Sequence, residues 1–190
     1  MGEPFKKIES GEHIVWITQP NEVETLLKRR EIAFNVAKGK LADSKGNAET
    51  VMQTAEAFGR GLSAEYIKKK SDGWTIKKWI KPAVENIFNP MGIAATFTKI
   101  TEDEAKSLIF RCQLHEESNE PQVASVFTYG FLRGMLLSAF PNGELIMGST
   151  MAQGAPMIEF TFKANASDKD RFERERIKNF FTDDIKKPEE

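Results

Sequence analysis

Three polar residues of the sequence could carry out hydrolytic chemistry: Cys112, His115 and Glu159. A thiolate is a nucleophile, and an imidazole or a carboxylate acts as a general base or activates water. Cys112 is the single cysteine and His13 is the only other histidine, so neither an internal disulfide nor a Cys/His zinc framework can be assembled. If the protein is an enzyme, these three are its candidate catalytic residues. The sequence predicts no metal and no cofactor.

The pattern around Cys112 favours an inert thiol over a nucleophile or an acylation site. The segment "SLIFRCQLH", residues 107–115, alternates as a strand with one buried face does. The dry face is predicted to hold Leu108, Phe110, Cys112 and Leu114, and the wet face Ile109, Arg111, Gln113 and His115. An adjacent Cys–His pair on this strand is therefore not expected. No GxSxG, P-loop, dinucleotide or HExxH motif occurs either, which favours a non-catalytic protein without excluding an enzyme.

Arg133 is the charged residue of an otherwise apolar helix, "QVASVFTYGFLRGMLLSAF", predicted over residues 122–140. Apolar side chains surround this helix, so it is predicted to be buried on most sides. A membrane-spanning helix is excluded by Arg133, by polar residues such as Thr128 and Ser138, and by its short length. The guanidinium must reach the surface or meet either a protein carboxylate or the anion of a ligand.

Glycines mark places where backbones are expected to approach each other closely. Gly130 and Gly134 lie on one face of the apolar helix, where a sheet or a second helix can pack against them. Gly59 and Gly61 interrupt another predicted helix, at about residues 48–70. Each costs that helix about 1 kcal/mol relative to alanine, which indicates close contact with another backbone.

The closing hairpin is "GSTMAQGAPMIEFTFKA", residues 148–164. Ile158, Phe160 and Phe162 point to one face of its second strand, so that strand is predicted to be half-buried. Met151 and Met157 stand on either side of the small-residue turn. Methionines serve as core filler or as an adaptable lining for an apolar ligand, and both alternatives are open here.

The order of elements indicates the fold class. Strands are predicted at 13–18, 93–100, 107–115, 144–150 and 157–164, with a capping turn at 101–104. Helices are predicted behind Asn21 with Glu24 at capping-box spacing, at 48–70, at 74–88 with a kink or break at Pro82, at 122–140 and within the charged last 23 residues. This order predicts an α+β single domain, in which an antiparallel sheet of about four strands packs against several helices.

Charge and composition exclude several partner classes. The 27 Lys and Arg nearly balance the 28 Asp and Glu, so neither nucleic acid nor a membrane surface is an expected partner. No secretory signal is recognised, and the lone cysteine suits a reducing compartment, so a cytoplasmic protein is predicted. Lysines at 68–70, 77, 78 and 81 form either solvated helix ends or a docking patch for an acidic partner. Trp74 and Trp79 flank part of this patch as packing residues or a cation site.

Four segments carry a family resemblance: "EAFGRGLSAEYIKK", "NPMGIAATFTKI", "YGFLRGML" and "GSTMAQGAPMIEFTF". In this order they resemble the 4-vinyl reductase domain, also described as a hydrocarbon-binding domain and related to subunits of the TRAPP tethering complex. The final strand is also similar to the L-2-amino-thiazoline-4-carboxylic acid hydrolase family. The resemblance implies a core at 47–165, preceded by a strand and helix at 1–46 and followed by a charged helix and tail at 166–190.

The resemblance further implies a domain that is commonly dimeric and holds a small apolar molecule between helices and sheet. Members often carry cysteines on either side of the final turn, where this chain has Thr150 and Ile158, so thiol or metal chemistry there does not carry over. The candidate ligand-binding residues are Phe97, Phe127, Tyr129, Arg133, Met147, Thr150, Met151 and Met157, with Arg133 meeting any acidic group. The alternatives are a hydrolase of a small cyclic amide or thiazoline, and an assembly or chaperone-like subunit of a complex.

Overall fold

The computed structural model describes residues 5–10, 13–18, 24–43, 47–67, 73–112, 114–115, 119–168 and 172–185. The strands within these ranges are β1 (Phe5–Ser10), β2 (His13–Thr18), β3 (Ile93–Thr98), β4 (Glu104–Cys112), β5 (Glu144–Met147) and β6 (Ile158–Lys163). The helices are α1 (Glu24–Asp43), α2 (Ala48–Tyr66), α3 (Ile76–Ala83), α4 (Pro121–Ala139) and α5 (Glu173–Ile185). A π-helical turn, Val84–Phe88, continues α3, and a 3₁₀ turn, Met151–Gln153, precedes β6.

The sheet confirms the predicted fold class. Four antiparallel strands lie in the order β3-β4-β6-β5, and β1 and β2 form a separate antiparallel hairpin beside β3. One hydrophobic core runs from Leu26 and Phe34 on α1 to Ile177 and Phe181 on α5. The molecule is therefore an α+β single domain, and the three-part division of the chain remains a prediction.

Helix boundaries follow the local capping chemistry. Asn47 caps α2 by accepting a hydrogen bond from the Glu49 amide at 2.8 Å, and Thr75 caps α3 in the same way. α2 ends at Tyr66 rather than at residue 70, and α3 starts after Trp74. Pro82 lies inside α3 without dividing it, and the turn that begins at Asn89 ends this helical segment as predicted.

α4 is buried along nearly its whole length, as the apolar side chains on all its sides predict. Its glycines explain how α2 packs on it. A Cβ at Gly134 would clash with the backbone carbonyl of Glu56, and one at Gly130 would lie 2.7 Å from the Met52 carbonyl oxygen. Gly59 meets the Phe131 carbonyl in the same way. The predicted close approach is thus a helix–helix contact. The prediction for Gly61 is wrong, because Gly61 is exposed and a Cβ there would meet nothing within 4 Å.

A β-bulge overturns the predicted faces of β4. Ala94 pairs with Arg111 and Ala95 with Ile109, which leaves Phe110 as the extra residue of the bulged strand. Ile109 is therefore fully buried and Phe110 is 44% exposed, the reverse of the prediction. Cys112 is still buried, because the extra residue returns it to the core face.

Other predictions hold with shifted ends. Thr101 forms the expected turn, since its hydroxyl accepts a hydrogen bond from the Glu104 amide at 2.9 Å and its own amide donates to the Glu104 carbonyl. The strand predicted to reach residue 100 ends at Thr98, and the one predicted to reach 115 ends at Cys112. The cap predicted at Asn21 and the lysines at 68–70 lie outside the described residues.

Ion pairs hold α5 against the rest of the molecule. Arg174 donates to both carboxylate oxygens of Glu49, at 2.9 and 2.6 Å, and to Glu56 at 3.1 Å. These hydrogen bonds lower the pKa of Glu49 despite its partial burial. Glu173 accepts a hydrogen bond from the Met147 amide on the edge strand β5. The charged terminal segment is therefore docked on α2 and on the edge of the sheet.

Candidate functional site

A half-enclosed cleft of about 270 Å³ lies at the C-terminal ends of α2 and α4. The start of α3 provides its third wall. Its lining residues are Arg60, Ser63, Ala64, Ile67, Trp74, Trp79, Ser138 and Ala139. The volume is slightly below the range of about 300–1,000 Å³ that is typical of small-molecule sites, so the cleft fits a small ligand.

The cleft exists because the close contact between α2 and α4 ends one turn earlier. Gly59 and Gly134 let the two backbones touch. One turn further along the same faces, Ser63 and Ser138 replace the glycines and line the cleft. Ser63 still contacts α4 through its hydrogen bond to the Met135 carbonyl, and a space remains between the ends of the helices beyond this contact.

Two tryptophans give the cleft an aromatic wall. Trp79 is 1% exposed and packs edge-on against Phe140 and tilted against Phe162, each at 5.9 Å between ring centroids. Its indole N–H has no hydrogen-bond acceptor among the described residues. Trp74 is half-buried beside it. This wall offers apolar aromatic surface to the cleft.

The serine hydroxyls of the cleft donate within the protein. Ser63 donates to the Met135 carbonyl at 3.4 Å, and Ser138 donates to the Gly134 carbonyl at 3.2 Å. Arg60 is exposed, and in the described part of the chain no carboxylate forms an ion pair with it. No acidic residue is among the described residues that line the cleft. The polar character of this described lining is thus that of one cation, Arg60, beside an apolar centre.

Most of the ligand-binding residues predicted from the sequence lie in the core and do not line this cleft. Phe97 packs on Phe88 and Phe162, and Phe127 packs on Phe34 and Phe58. Tyr129 is fully buried, and its hydroxyl has no hydrogen-bond partner among the described residues. Burial, together with the Glu144 charge, holds the pKa of Tyr129 well above its ordinary value.

The turn residues predicted to contact a ligand belong to a self-contained loop. Thr150 is 1% exposed, its hydroxyl donates to Gln153 at 3.1 Å, and its carbonyl accepts from the amides of Gln153 and Ala155. Gly154 has a φ of +81°, which glycine adopts without strain. Met151 and Met157 are half-buried beside this loop and Met147 is buried on β5. The turn is thus closed by its own backbone and by Thr150.

Arg133 meets two protein carboxylates. Its Nε donates to Glu144 at 2.8 Å and its Nη1 donates to Glu56 at 2.9 Å. Glu56 also accepts from Arg174, so the ion pairs form one chain that joins α2, α4, β5 and α5. Burial alone would lower the pKa of Arg133, but the two carboxylates raise it. Of the partners predicted for this guanidinium, the structure supplies the protein carboxylate.

Cys112 and His115 both lie close to Thr128 on α4. His115 Nε2 is 3.3 Å from the Thr128 hydroxyl, because β4 ends at Cys112 and the chain then turns. The prediction of opposite faces on one strand is therefore wrong. Burial raises the pKa of the Cys112 thiol and lowers the pKa of His115 to about 4. A protonated thiol beside a neutral imidazole is poorly suited to nucleophilic chemistry.

Glu159, the third candidate catalytic residue, does not join this pair. Its carboxylate accepts a hydrogen bond from Lys106 at 3.2 Å on the neighbouring strand β4. The register places Glu159 opposite Leu108 in the sheet. The structure thus brings two of the three candidate catalytic residues together and leaves the third in a half-exposed ion pair.

Sequence reasoning missed most of the cleft residues, namely Arg60, Ser63, Ala64, Ile67, Ser138 and Ala139. A signal did exist in the spacing, since a serine follows a glycine by four residues on both helices: Gly59 and Ser63, Gly134 and Ser138. The sequence does not tell which of its glycines contact another helix, however. The Gly–Ser spacing therefore indicates a cleft only once the contact between α2 and α4 is known. Trp74 and Trp79 were predicted as packing residues or a cation site, and both reach the cleft.

The chain matches no family model and no curated protein. Among solved structures, it is similar to trafficking protein particle complex subunit 3 from Naegleria fowleri, a structure described as covalently bound to palmitic acid. The two are 13% identical, with a TM-score of 0.53, and the match covers 72% of this chain and 94% of that chain. The fold is therefore TRAPP-related, as the sequence resemblance implies.

No helix in the described part of the chain is long and apolar enough to cross a bilayer. Within the same residues, no group of three or more His, Cys, Asp or Glu side chains could hold a metal ion. Among the described residues, the site thus consists of a cleft, an aromatic wall and the cation of Arg60.

Proposed function

We propose that this protein binds a small apolar or amphipathic molecule in the cleft between α2, α3 and α4. The observation that carries the proposal is the half-enclosed space of about 270 Å³ beside Trp74 and Trp79. Concave sites with aromatic walls and few polar groups are the usual form of small-molecule sites. The structure from Naegleria fowleri supports this proposal, since a protein of similar fold is described with bound palmitic acid.

We propose that the ligand is held without a covalent bond. Cys112 is the only cysteine of the sequence, and it is buried on β4 and does not line the cleft. The palmitic acid of the similar structure is described as covalently bound. This chain offers no thiol in the cleft, so an acyl group bound there would be held by packing and hydrogen bonds.

The binding experiment uses 1-octanol as an uncharged amphipathic probe and tryptophan fluorescence as the signal. The unmodified protein should show saturable binding because Trp74 and Trp79 line the cleft. Ala64→Phe should weaken binding at least about tenfold by filling the cleft, whereas Ala64→Ser should leave it unchanged. Ala64 is exposed, so both variants should fold. Equal binding by both variants, or none by the unmodified protein, would contradict the proposal.

A second candidate function is that of an accessory subunit of a larger complex, as the description of the similar structure suggests. The observation that favours it is a pair of exposed apolar residues one turn apart on α1: Ile32 is 63% exposed and Val36 is 45% exposed. Size-exclusion chromatography with light scattering tests whether the isolated chain is a dimer, and Ile32→Glu should dissociate it. If the isolated chain is a monomer, its partner in a complex would have to be a different protein. We also propose that this subunit is cytoplasmic.

The two families that the sequence resembles suggest two further statements of the function. A hydrocarbon-binding domain of the 4-vinyl reductase type agrees with a cleft that binds an apolar ligand. A thiazoline or cyclic amide hydrolase would require Cys112 or a water activated by His115. Alkylation of Cys112 in the folded protein tests that alternative, and an unreactive thiol would contradict a thiol mechanism.

A further inference from the structure

We infer that the ligand of the cleft is a monocarboxylic acid with a short apolar tail, and that Arg60 binds its carboxylate. This inference rests on the proposed function, because it concerns the same cleft. The apolar tail would lie against Ile67 and the two tryptophans, and the carboxylate would lie at the solvent-facing side, where Arg60 is exposed.

The charge of the cleft points to an anion. Several other arginines of the structure are paired with carboxylates: Arg29 with Glu65, Arg133 with Glu144 and Glu56, and Arg174 with Glu49 and Glu56. Arg30 is buried and donates to the Met91 carbonyl instead. Arg60 is exposed and has no carboxylate partner among the described residues, and the described lining of the cleft contains no Asp or Glu. A guanidinium in this position offers two parallel N–H donors, which match the two oxygens of a carboxylate.

The hydrogen-bonding capacity of the cleft points the same way. The Trp79 indole N–H is buried and has no acceptor among the described residues, although such a buried donor normally has one. The hydroxyl protons of Ser63 and Ser138 are already donated to backbone carbonyls. Because the indole nitrogen itself has almost no accessible surface, the donor left for a ligand among the described lining residues is the Arg60 guanidinium, which requires an acceptor such as a carboxylate oxygen.

The helix ends favour a singly charged anion over a phosphate. The cleft lies at the C-terminal ends of α2 and α4, where unpaired carbonyl groups give each helix a partial negative charge. This field opposes a dianion more than a monoanion. The small volume and the apolar lining require that the rest of the ligand is a short hydrocarbon or aromatic group.

The experiment compares octanoic acid with 1-octanol at neutral pH, where the acid is ionised. The two molecules have the same number of carbon atoms and differ only at the first carbon, which is a carboxylate in one and an alcohol in the other. The unmodified protein should bind octanoate more tightly than octanol. Arg60→Gln should weaken octanoate binding about five-fold and weaken octanol binding much less, because an uncharged hydroxyl gains little from a guanidinium. Lys77→Gln is the matched control. Lys77 is an exposed cation that lies between Trp74 and Trp79 in the sequence but does not line the cleft.

Salt provides a second measurement. Raising the ionic strength should weaken octanoate binding to the unmodified protein and have no such effect on Arg60→Gln. If octanol binds and octanoate gains nothing from Arg60, the inference about the carboxylate fails while the proposed function stands. If neither probe binds, the proposed function fails and the inference fails with it.

Discussion

The two ends of the α2–α4 contact differ although the same two helices form both. At the first end, Gly59, Gly130 and Gly134 bring the backbones together so closely that no Cβ atom fits between them. At the second end, Ser63 and Ser138 lie on the same faces one turn later and line an open cleft. The same two helix faces thus carry glycines where the backbones touch and serines where the cleft lies.

The closed end also contains a chain of largely buried ion pairs, and the open end contains an arginine without one in the described part of the chain. Arg133 donates to Glu144 and Glu56 beside the glycine contact, whereas Arg60 at the cleft has no carboxylate partner among the described residues. A charge removed from water is costly unless it has a partner in the protein, whereas an exposed guanidinium such as Arg60 remains available to a ligand. The ion pairs of the first end therefore contribute to the fold, and the exposed guanidinium of the second end agrees with the proposed binding of a ligand.

The largest effect on the closed end is expected from Arg133→Leu. Glu144 is nearly buried, with a side chain that is 5% exposed, and the variant would leave it without its cation. Loss of one partner from a buried ion pair costs about 3–5 kcal/mol. Urea unfolding measures the change. The double variant Arg133→Leu with Glu144→Leu should lose less than the single one, because Glu56 keeps Arg174. A loss below about 1 kcal/mol for the single variant would contradict this account.

A second prediction compares two glycines that are two residues apart on α2. Gly59→Ala should lower the free energy of unfolding by about 2–3 kcal/mol, because the new Cβ would clash with the Phe131 carbonyl. Gly61→Ala should raise it by about 1 kcal/mol, because the position is open and alanine favours the helix. Circular dichroism during chemical unfolding measures both. Equal effects of the two substitutions would mean that α2 and α4 do not meet at Gly59.

The sequence predicts the fold class and the order of elements because both depend on local patterns. Alternation marks β6, and a run of apolar residues on all sides marks α4, so their burial follows directly from residue type. The same reasoning fails at β4. One extra residue in the strand reverses the alternation of buried and exposed side chains after it. The sequence around Phe110 contains no glycine or proline that would predict a bulge.

The site is less predictable than the fold, since it depends on residues that are far apart in the chain. Arg133 and Glu56 are separated by 77 positions, so the sequence predicts that the guanidinium needs a partner without telling which one. Likewise, Gly59 and Gly61 look equivalent in "FGRGL", and only the position of α4 distinguishes them. The cleft is a gap between elements, and no local pattern encodes such a gap.

The smallest predicted effect is a loss of stability in acid that comes from His115, whose imidazole contacts Thr128 on α4. Burial lowers the pKa of His115 to about 4 from its ordinary value of 6.5, so the unfolded chain binds the proton more readily than the native state does between these values. Stability from the neutral imidazole is therefore present above pH 6.5 and is lost as the pH falls toward 4.

Between pH 7.5 and 5.5 this effect should lower the free energy of unfolding by about 1 kcal/mol. His115→Gln cannot titrate, so its unfolding free energy should fall less across the same interval in urea titrations. The cleft should contribute nothing to this difference, because its described lining contains no histidine, and Arg60→Gln should keep the full pH dependence. If His115→Gln loses as much stability as the unmodified protein, the acid sensitivity arises elsewhere, and the carboxylates that hold α5, Glu49 first, become the groups to replace.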